Sequence, residues 1–233
     1  MNHKIPPNIT ELPKLRDRVR VFRDRQHAGE VLAEMLDAFR QSDAVVLAIP
    51  AGGVPVAAAI AERLRIPLDV AVVSKITLPW NTEAGYGAVA FGGTMRLNAD
   101  LVAHLGLTKG QIQEGIAQTT QKVLRRVKRF RGDQPFPDLT KRRAILVDDG
   151  LASGFTMLVA VEALRNAGAQ HICVAVPTGH ASALPRMAEE VEAFYCANIR
   201  GGFSFAVADA YEQWTDVTEE EARALYSRLA RPD

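Results

Sequence analysis

The stretch AILVDDGLASGFT, residues 144–156, joins four apolar residues to two carboxylates and then to a turn of small residues that opens a helix. Ala144, Ile145, Leu146 and Val147 read as a buried strand, because a parallel strand covered on both faces shows an apolar run rather than alternation. Asp148 and Asp149 then stand at the carboxyl end of that strand, where open α/β sheets collect ligands. Gly150, Ala152, Ser153 and Gly154 are small enough for the backbone to approach an anion closely. A helix beginning near Gly154 adds free N–H groups and the positive end of its dipole, and Ser153 and Thr156 add hydroxyl donors. Carboxylates repel phosphate, so Asp148 and Asp149 are better matched to sugar hydroxyls or to a divalent cation. A phosphate site beside a diol site describes a phosphorylated ribose.

Outward from this stretch, apolar β-branched runs alternate with helical patterns, which predicts an α/β fold with an open, mostly parallel sheet flanked by helices. Upstream, residues 1–20 read as a tail and residues 27–39 as a helix. AVVLAI at 44–49 reads as a strand, Pro50-Ala51-Gly52-Gly53 as a break, residues 54–65 as an Ala-rich helix and residues 68–73 as the next strand. Residues 76–93, with Pro79, Trp80, Asn81, Gly85, Gly87 and Gly92-Gly93, read as a mobile loop followed by a short hairpin. Asn98 caps a short helix, and Thr108 with Gln111 forms a capping-box signature for a long helix reaching about Phe130. Downstream come a helix at 154–167, a strand at 171–176, a helix at 181–191 and a strand at 193–196, which closes a core spanning 21–197. Residues 198–233 are expected to fold over the sheet as a small hood ending in a helix capped by Thr218 and Glu221.

Lys and Arg total 28 against 27 for Asp and Glu, so no long-range field favours nucleic acid or an anionic membrane, and an anion must be held locally. No apolar run is long enough to cross a bilayer and the first residues lack a signal-peptide core, so the expected location is the cytoplasm. Cys173 and Cys196, without ligand spacing, read as buried free thiols. The basic run Lys122, Arg125, Arg126, Lys128, Arg129 and Arg131 reads as a solvated helix face. Neither GxGxxG after a strand nor GxxxxGK[ST] is present, which disfavours dinucleotide and P-loop binders.

Residues 144–156 resemble the signature by which type I phosphoribosyltransferases bind 5-phosphoribosyl 1-pyrophosphate (PRPP), with Ser153 and Phe155 as mild departures. The resemblance implies that Asp148 and Asp149 hold the ribose 2- and 3-hydroxyls and that Gly150 and Ala152 through Thr156, with Phe155 among them, cradle the 5-phosphate. It further implies that Ala51, Gly52 and Gly53 form a pyrophosphate loop, often built in this family on a cis peptide, and that Lys75 contacts the pyrophosphate. Lys75, Asp148 and Asp149 are thereby the expected catalytic residues, with Mg2+ bound alongside PRPP and Asp148 and Asp149 as its indirect ligands. The partners implied are PRPP and a small-molecule acceptor, with no nucleic acid and no membrane, and a homodimer is compatible with the pattern.

More narrowly, the chain is similar from about Val21 to Leu229 to a group of bacterial phosphoribosyltransferases of unsettled substrate, through AIPAGGVPVAAAIAERL, LVDDGLASGFTM and AVADAYEQWTDVTEEEA. Arg would be expected at Ala51 and at Ser74, and restoring it at either position should leave activity unchanged or raise it. Their loss raises a second reading, a catalytically weak PRPP- or nucleotide-binding regulator. Members acting on 6-oxopurines carry an acid at the position of Ala152, so the pattern here looks more like the adenine and orotate enzymes. Trp80 suits either base stacking or loop anchoring, and Tyr211 and Trp214 suit packing of the hood more than lining of the acceptor pocket. His104 and His180 have no partner spacing that assigns them a role.

Overall fold

The computed structural model describes residues 6–78 and 80–229, with the backbone alone at 82–84. In chain order its strands are β1 (Ile9–Glu11), β2 (Val45–Ala48), β3 (Leu68–Val70), β4 (Val73–Leu78), β5 (Asn81–Ala90), β6 (Met95–Leu97), β7 (Arg143–Val147), β8 (His171–His180) and β9 (Ala193–Arg200). The α-helices are α1 (Arg25–Met35), α2 (Gly53–Leu64), α3 (Ala99–Leu105), α4 (Lys109–Arg131), α5 (Phe155–Asn166), α6 (Leu184–Glu189) and α7 (Glu219–Leu229).

Six strands form a sheet in the order β1-β9-β8-β7-β2-β3, with every pairing parallel. Alternate residues of its central strands face opposite layers: Val46, Ala48, Ile145 and Val147 pack with Leu32, Val56, Ile60 and Tyr226 of α1, α2 and α7. Val45, Leu47, Ala144 and Leu146 face Leu158, Val161 and Leu164 of α5. Burying each large aliphatic side chain here stabilises the fold by roughly 1.5–3 kcal/mol, which is why the apolar runs are continuous. From β2 the chain adds β3 on one side, whereas β7, β8 and β9 extend the other side. The winding therefore reverses between β2 and β7, the kind of point at which open α/β sheets bind ligands.

The expected open parallel sheet flanked by helices is what the chain forms, and the caps at Asn98, Thr108 and Thr218 are present, the last two as reciprocal side-chain and backbone pairs. Several boundaries differ from expectation. The run at 68–73 is two strands: β3 ends at Val70, residues 71–72 cross over, and Val73 starts a separate antiparallel sheet of β4, β5 and β6. Both halves are buried, so apolar periodicity carries no mark of the break. The hairpin also begins earlier than expected, at Val73, and uses most of the segment read as loop. Gly85 and Gly87 serve close approach instead of turning, since a Cβ on Gly85 would lie 3.1 Å from the Lys75 Cβ and one on Gly87 2.8 Å from the Arg96 carbonyl oxygen, whereas Gly92 and Gly93, at φ +68° and +82°, do turn the chain. Pro79 lies outside the described residues.

Residues 9–11, expected within a tail, form the edge strand β1 on β9. The helix expected at 27–39 starts at Arg25, where the Asp24 carboxylate accepts from the His27 N–H, and gives way to a 3-10 turn at Asp37–Phe39. Strands β8 and β9 run past their expected ends to His180 and Arg200, leaving only Leu184–Glu189 of the helix expected between them. Cys173 and Cys196 are buried free thiols, and burial pushes the Cys173 thiol up to about 11. No helix among the described residues is long and apolar enough to cross a membrane.

Candidate functional site at the sheet switch point

The register Ala48↔Val147 brings the loops that follow β2 and β7 out of the sheet side by side. From β7 come Asp148 and Asp149, and from β2 comes a turn whose Pro50–Ala51 peptide is cis. Gly52 has right-handed helical angles (φ −60°, ψ −34°), so glycine is needed there for space and not for an unusual backbone angle. A Cβ on Gly52 would stand 2.2 Å from Asp149 Oδ2, and one on Gly53 would stand 2.8 Å from the Val147 carbonyl oxygen and 2.9 Å from the Asp148 Cα. The glycine turn and the acid pair thus form one packed wall.

Beyond the acids, Leu151 is tied to β8 through its N–H on the Thr178 carbonyl at 2.9 Å and its own carbonyl, which accepts from the His180 N–H at 2.8 Å. Ala152 and Ser153 are exposed, and Gly154, at φ +74°, is the left-handed residue from which α5 starts. That conformation is open to glycine at little cost, and the first N–H groups of the twelve-residue helix it begins have no partner within the helix. Ser153 Oγ accepts from the Phe155 N–H at 3.4 Å. The turn expected to hold a phosphate thus presents exposed Ala152 and Ser153 at the start of α5, on the loop that carries the two carboxylates.

Both carboxyl groups are raised above their ordinary range. Burial is the main cause for Asp148, reinforced by the charge of Asp149 and opposed by the Asp149 N–H and the charges of Arg25 and Lys75. Burial also raises Asp149, against the charge and hydrogen bond of Arg25. Lys75, in β4, is exposed and close enough for its charge to act on Asp148. Of the sequence-expected residues, Gly52 and Gly53 pack directly on Asp148 and Asp149, Ala51 belongs to the same turn, Gly150 to Thr156 follow on the loop after β7, and Lys75 is linked to them through the effect of its charge on Asp148.

Ser74 does not join them. On β4 it faces away from Lys75, is 5% exposed, and accepts from Arg126 Nη1 at 3.2 Å. Arg126 is itself buried and pairs with Glu219 of α7 at 2.5 Å, and Arg131 is buried on Asp69 at 3.2 Å. These two arginines correct the expectation of a wholly solvated basic face: they tie α4 to its neighbours, while Lys122, Arg125, Lys128 and Arg129 are exposed.

Arg25 escaped the sequence reading, and Tyr211, expected mainly to pack the hood, has a polar contact with the acid pair that the reading did not foresee. Arg25 Nε donates to Asp149 Oδ2 at 2.9 Å, and the Tyr211 hydroxyl donates to the Asp149 carbonyl at 2.6 Å. One signal for Arg25 was available, since a cation in the first turn of a helix opposes the dipole and asks for a compensating carboxylate. Val207 also covers the site, with its methyl group 2.4 Å from where a Cβ on Gly150 would lie.

Residues 23–210 match the family model described as phosphoribosyl transferase domain. Proteins of two Mycobacterium tuberculosis strains, both provisionally named phosphoribosyl transferases, are 35% identical to this chain over 213 residues, covering 91% of it and 48% of their own length. The chain thus spans about half the length of the curated relatives it matches. A solved structure from Thermus thermophilus, that of the protein TT1426, is 32% identical, covers 90% of this chain and 99% of its own, and superposes with a TM-score of 0.73.

Proposed function

We propose, from the premise that the chain belongs to the phosphoribosyl transferase family, that it transfers the 5-phosphoribosyl group of PRPP to a nitrogen nucleophile and releases pyrophosphate. The observation that carries this reading is the convergence of an acid pair, a glycine turn and a helix N-terminus on the point where the sheet reverses its winding. In the reaction the nitrogen lone pair forms a bond to C1 of the ribose while the C1–O bond breaks, its electron pair leaving with pyrophosphate. Asp148 and Asp149 accept the ribose hydroxyls, the turn at 152–156 holds the 5-phosphate, and the turn at 51–53 with Lys75 receives the pyrophosphate. The protein's contribution is orientation and neutralisation of charge on the leaving oxygens.

Two adjacent carboxylates fit a hard divalent cation that takes its other ligands from substrate and water, as Mg2+ does, and no cluster of three ligating side chains occurs among the described residues. When bound with PRPP, Mg2+ would neutralise pyrophosphate charge, with Asp148 and Asp149 holding it indirectly. A nucleobase or similar small heterocycle is the proposed acceptor. Because Ala152 offers no acid to a base nitrogen, 6-oxopurines are the less favoured members of that class. The proposed setting is the cytoplasm, with small molecules as partners and without nucleic acid or membrane. Ala51, where related sequences offer Arg, favours a second reading, a PRPP-binding regulator with weak catalysis. The discriminating assay is magnesium-dependent pyrophosphate release from PRPP over a panel of purines, pyrimidines, small aromatic amides and ammonia. If PRPP binds and no acceptor raises release above the acceptor-free rate, the regulator takes the enzyme's place.

Ligand binding is tested separately. PRPP or ribose 5-phosphate with Mg2+ is expected to raise the melting temperature, by about 2.7 kcal/mol of stabilisation at a hundredfold excess over Kd. Substitution of both Asp148→Asn and Asp149→Asn should remove that response. Their pKa values are raised on folding, so their ionisation opposes folding once the pH exceeds the unfolded carboxylate pKa, and this penalty is complete above the folded values. Asp149→Asn also takes the charge from the partner of buried Arg25, so the double variant is first checked for folding by circular dichroism, and Asp148→Asn alone, which leaves the Arg25 pair intact, carries the test if the double variant unfolds. A wild type with no thermal or calorimetric response at millimolar ligand would end the PRPP reading.

The β4–β5 hairpin is proposed to close over the bound substrates. Its register shifts between Ile76 and Thr77 and again between Thr77 and Leu78, and Trp80 at its tip is 61% exposed, so the tip is weakly held. Hydrogen exchange at Thr77, Leu78 and Asn81 should be fast in the free protein and slow with PRPP and acceptor both present. Protection in the free protein equal to that of β7 would contradict closure.

A further inference from the structure

Arg25 opens α1, is 8% exposed, and reaches three elements at once. Besides its bond to Asp149 Oδ2, its Nη1 donates to the Thr215 carbonyl at 2.8 Å and its guanidinium lies 3.8 Å from the centre of the Trp214 ring. The segment carrying Trp214 is zipped to the chain that leads into α1. The N–H groups of Arg20 and Phe22 donate to the carbonyls of Asp209 and Ala210, and those of Glu212 and Gln213 donate to Phe22 and Arg23. Tyr211, from the same segment, holds the Asp149 carbonyl. The second carboxylate of the site is thus gripped through its side chain by Arg25 and through its backbone by the segment that Arg25 secures.

A guanidinium in this place meets two unfavourable terms, burial and the positive end of α1. Asp149 and the indole face offset them, which makes the arrangement sensitive to anything that draws on Asp149. We propose that Arg25 is a positioning residue that couples occupation of the ribose site to the C-terminal segment 207–215. The inference rests on the reading of Asp148 and Asp149 as acceptors for ribose hydroxyls. With Oδ2 held by Arg25 and crowded by Gly52, Asp149 meets a ligand through Oδ1. A hydroxyl or cation bound there withdraws negative charge from the Arg25 pair, and the guanidinium transmits the change to Trp214 and to the Thr215 carbonyl. The hood would then respond to the sugar and not only to the acceptor.

Trp80→Phe leaves Trp214 as the sole tryptophan of the chain. In that protein, ribose 5-phosphate with Mg2+ is followed by calorimetry and by Trp214 emission in parallel. Binding heat accompanied by a change in emission is the expected result. Adding Arg25→Lys should preserve most of the affinity and lose the emission change, because an ammonium can pair with Asp149 but cannot also stack on Trp214 and reach Thr215. Arg25→Ala should weaken binding about 10- to 100-fold, the usual loss when a ligand-orienting partner is removed. If Arg25→Ala does not fold, the lysine variant and the Arg25 protein decide the matter without it. Binding without an emission change, or an emission change that persists in Arg25→Lys, overturns the coupling and leaves the proposed function standing. Absence of binding heat in the unsubstituted protein overturns both.

Discussion

Replacing Lys75 by alanine is expected to lower pyrophosphate release by about two orders of magnitude while the affinity for ribose 5-phosphate changes little. As C1 separates from pyrophosphate, negative charge grows on the leaving oxygens, and a preorganised cation there is worth on the order of 3 kcal/mol. Lys75 is suited to that task by its surroundings. It is exposed, its side chain packs over Gly85, and its charge acts on Asp148. The turn proposed to hold the 5-phosphate belongs to the β7–α5 loop, a different element, so ground-state binding of ribose 5-phosphate should be preserved. An exposed lysine also contributes little to folding, roughly within 0.5 kcal/mol, so a fall in rate would not reflect unfolding. Pyrophosphate release and calorimetry on the same variant test the claim. An unchanged rate would remove Lys75 from the leaving-group site.

The parts of this site legible in the sequence are those written in one continuous stretch. Residues 144–156 contain a strand, its acidic end, its small turn and the start of its helix in order, so strand and turn chemistry sufficed to place them. Lys75 and the glycines at 52–53 stand at expected strand ends too, but only the family resemblance singled them out. Arg25 was not legible, because its partner Asp149 is 124 positions away and Thr215 is 190 positions away, separations at which a single sequence offers no register. The glycines at 85 and 87 were misleading for another reason: a glycine required by a close strand crossing has the same letter as one required by a turn. The short β1 fails on length, since three residues show too little alternation to mark an edge strand. Arg126 and Arg131 were hidden by the charge of their neighbours, because a basic run on one helix does not tell which of its members turn inward.

That inward turn of Arg126 decides what happens when Arg is restored at position 74. Ser74→Arg is expected to destabilise the fold by about 3–5 kcal/mol, the cost of leaving a charge buried without its own partner. Ser74 is enclosed, its hydroxyl already receives Arg126 Nη1, and the nearby carboxylate of Glu219 is shared between Arg126 at 2.5 Å and Arg129 at 3.5 Å. Burial lowers the Arg126 pKa even with Glu219 opposing, so a second guanidinium there would add repulsion to an already costly charge. The new side chain would also point away from Lys75, so it would bring no cation to the pyrophosphate. Ala51→Arg is a different case: residue 51 is half-buried in the turn packed on the acid pair, and the substitution should leave the rate unchanged or raise it. At about 2–4 °C per kcal/mol for a chain of this length, Ser74→Arg should lower the melting temperature by roughly 10 °C, whereas Ala51→Arg should melt near the wild type. A Ser74→Arg protein that melts with the wild type and releases pyrophosphate faster would show that position 74 faces the leaving group after all.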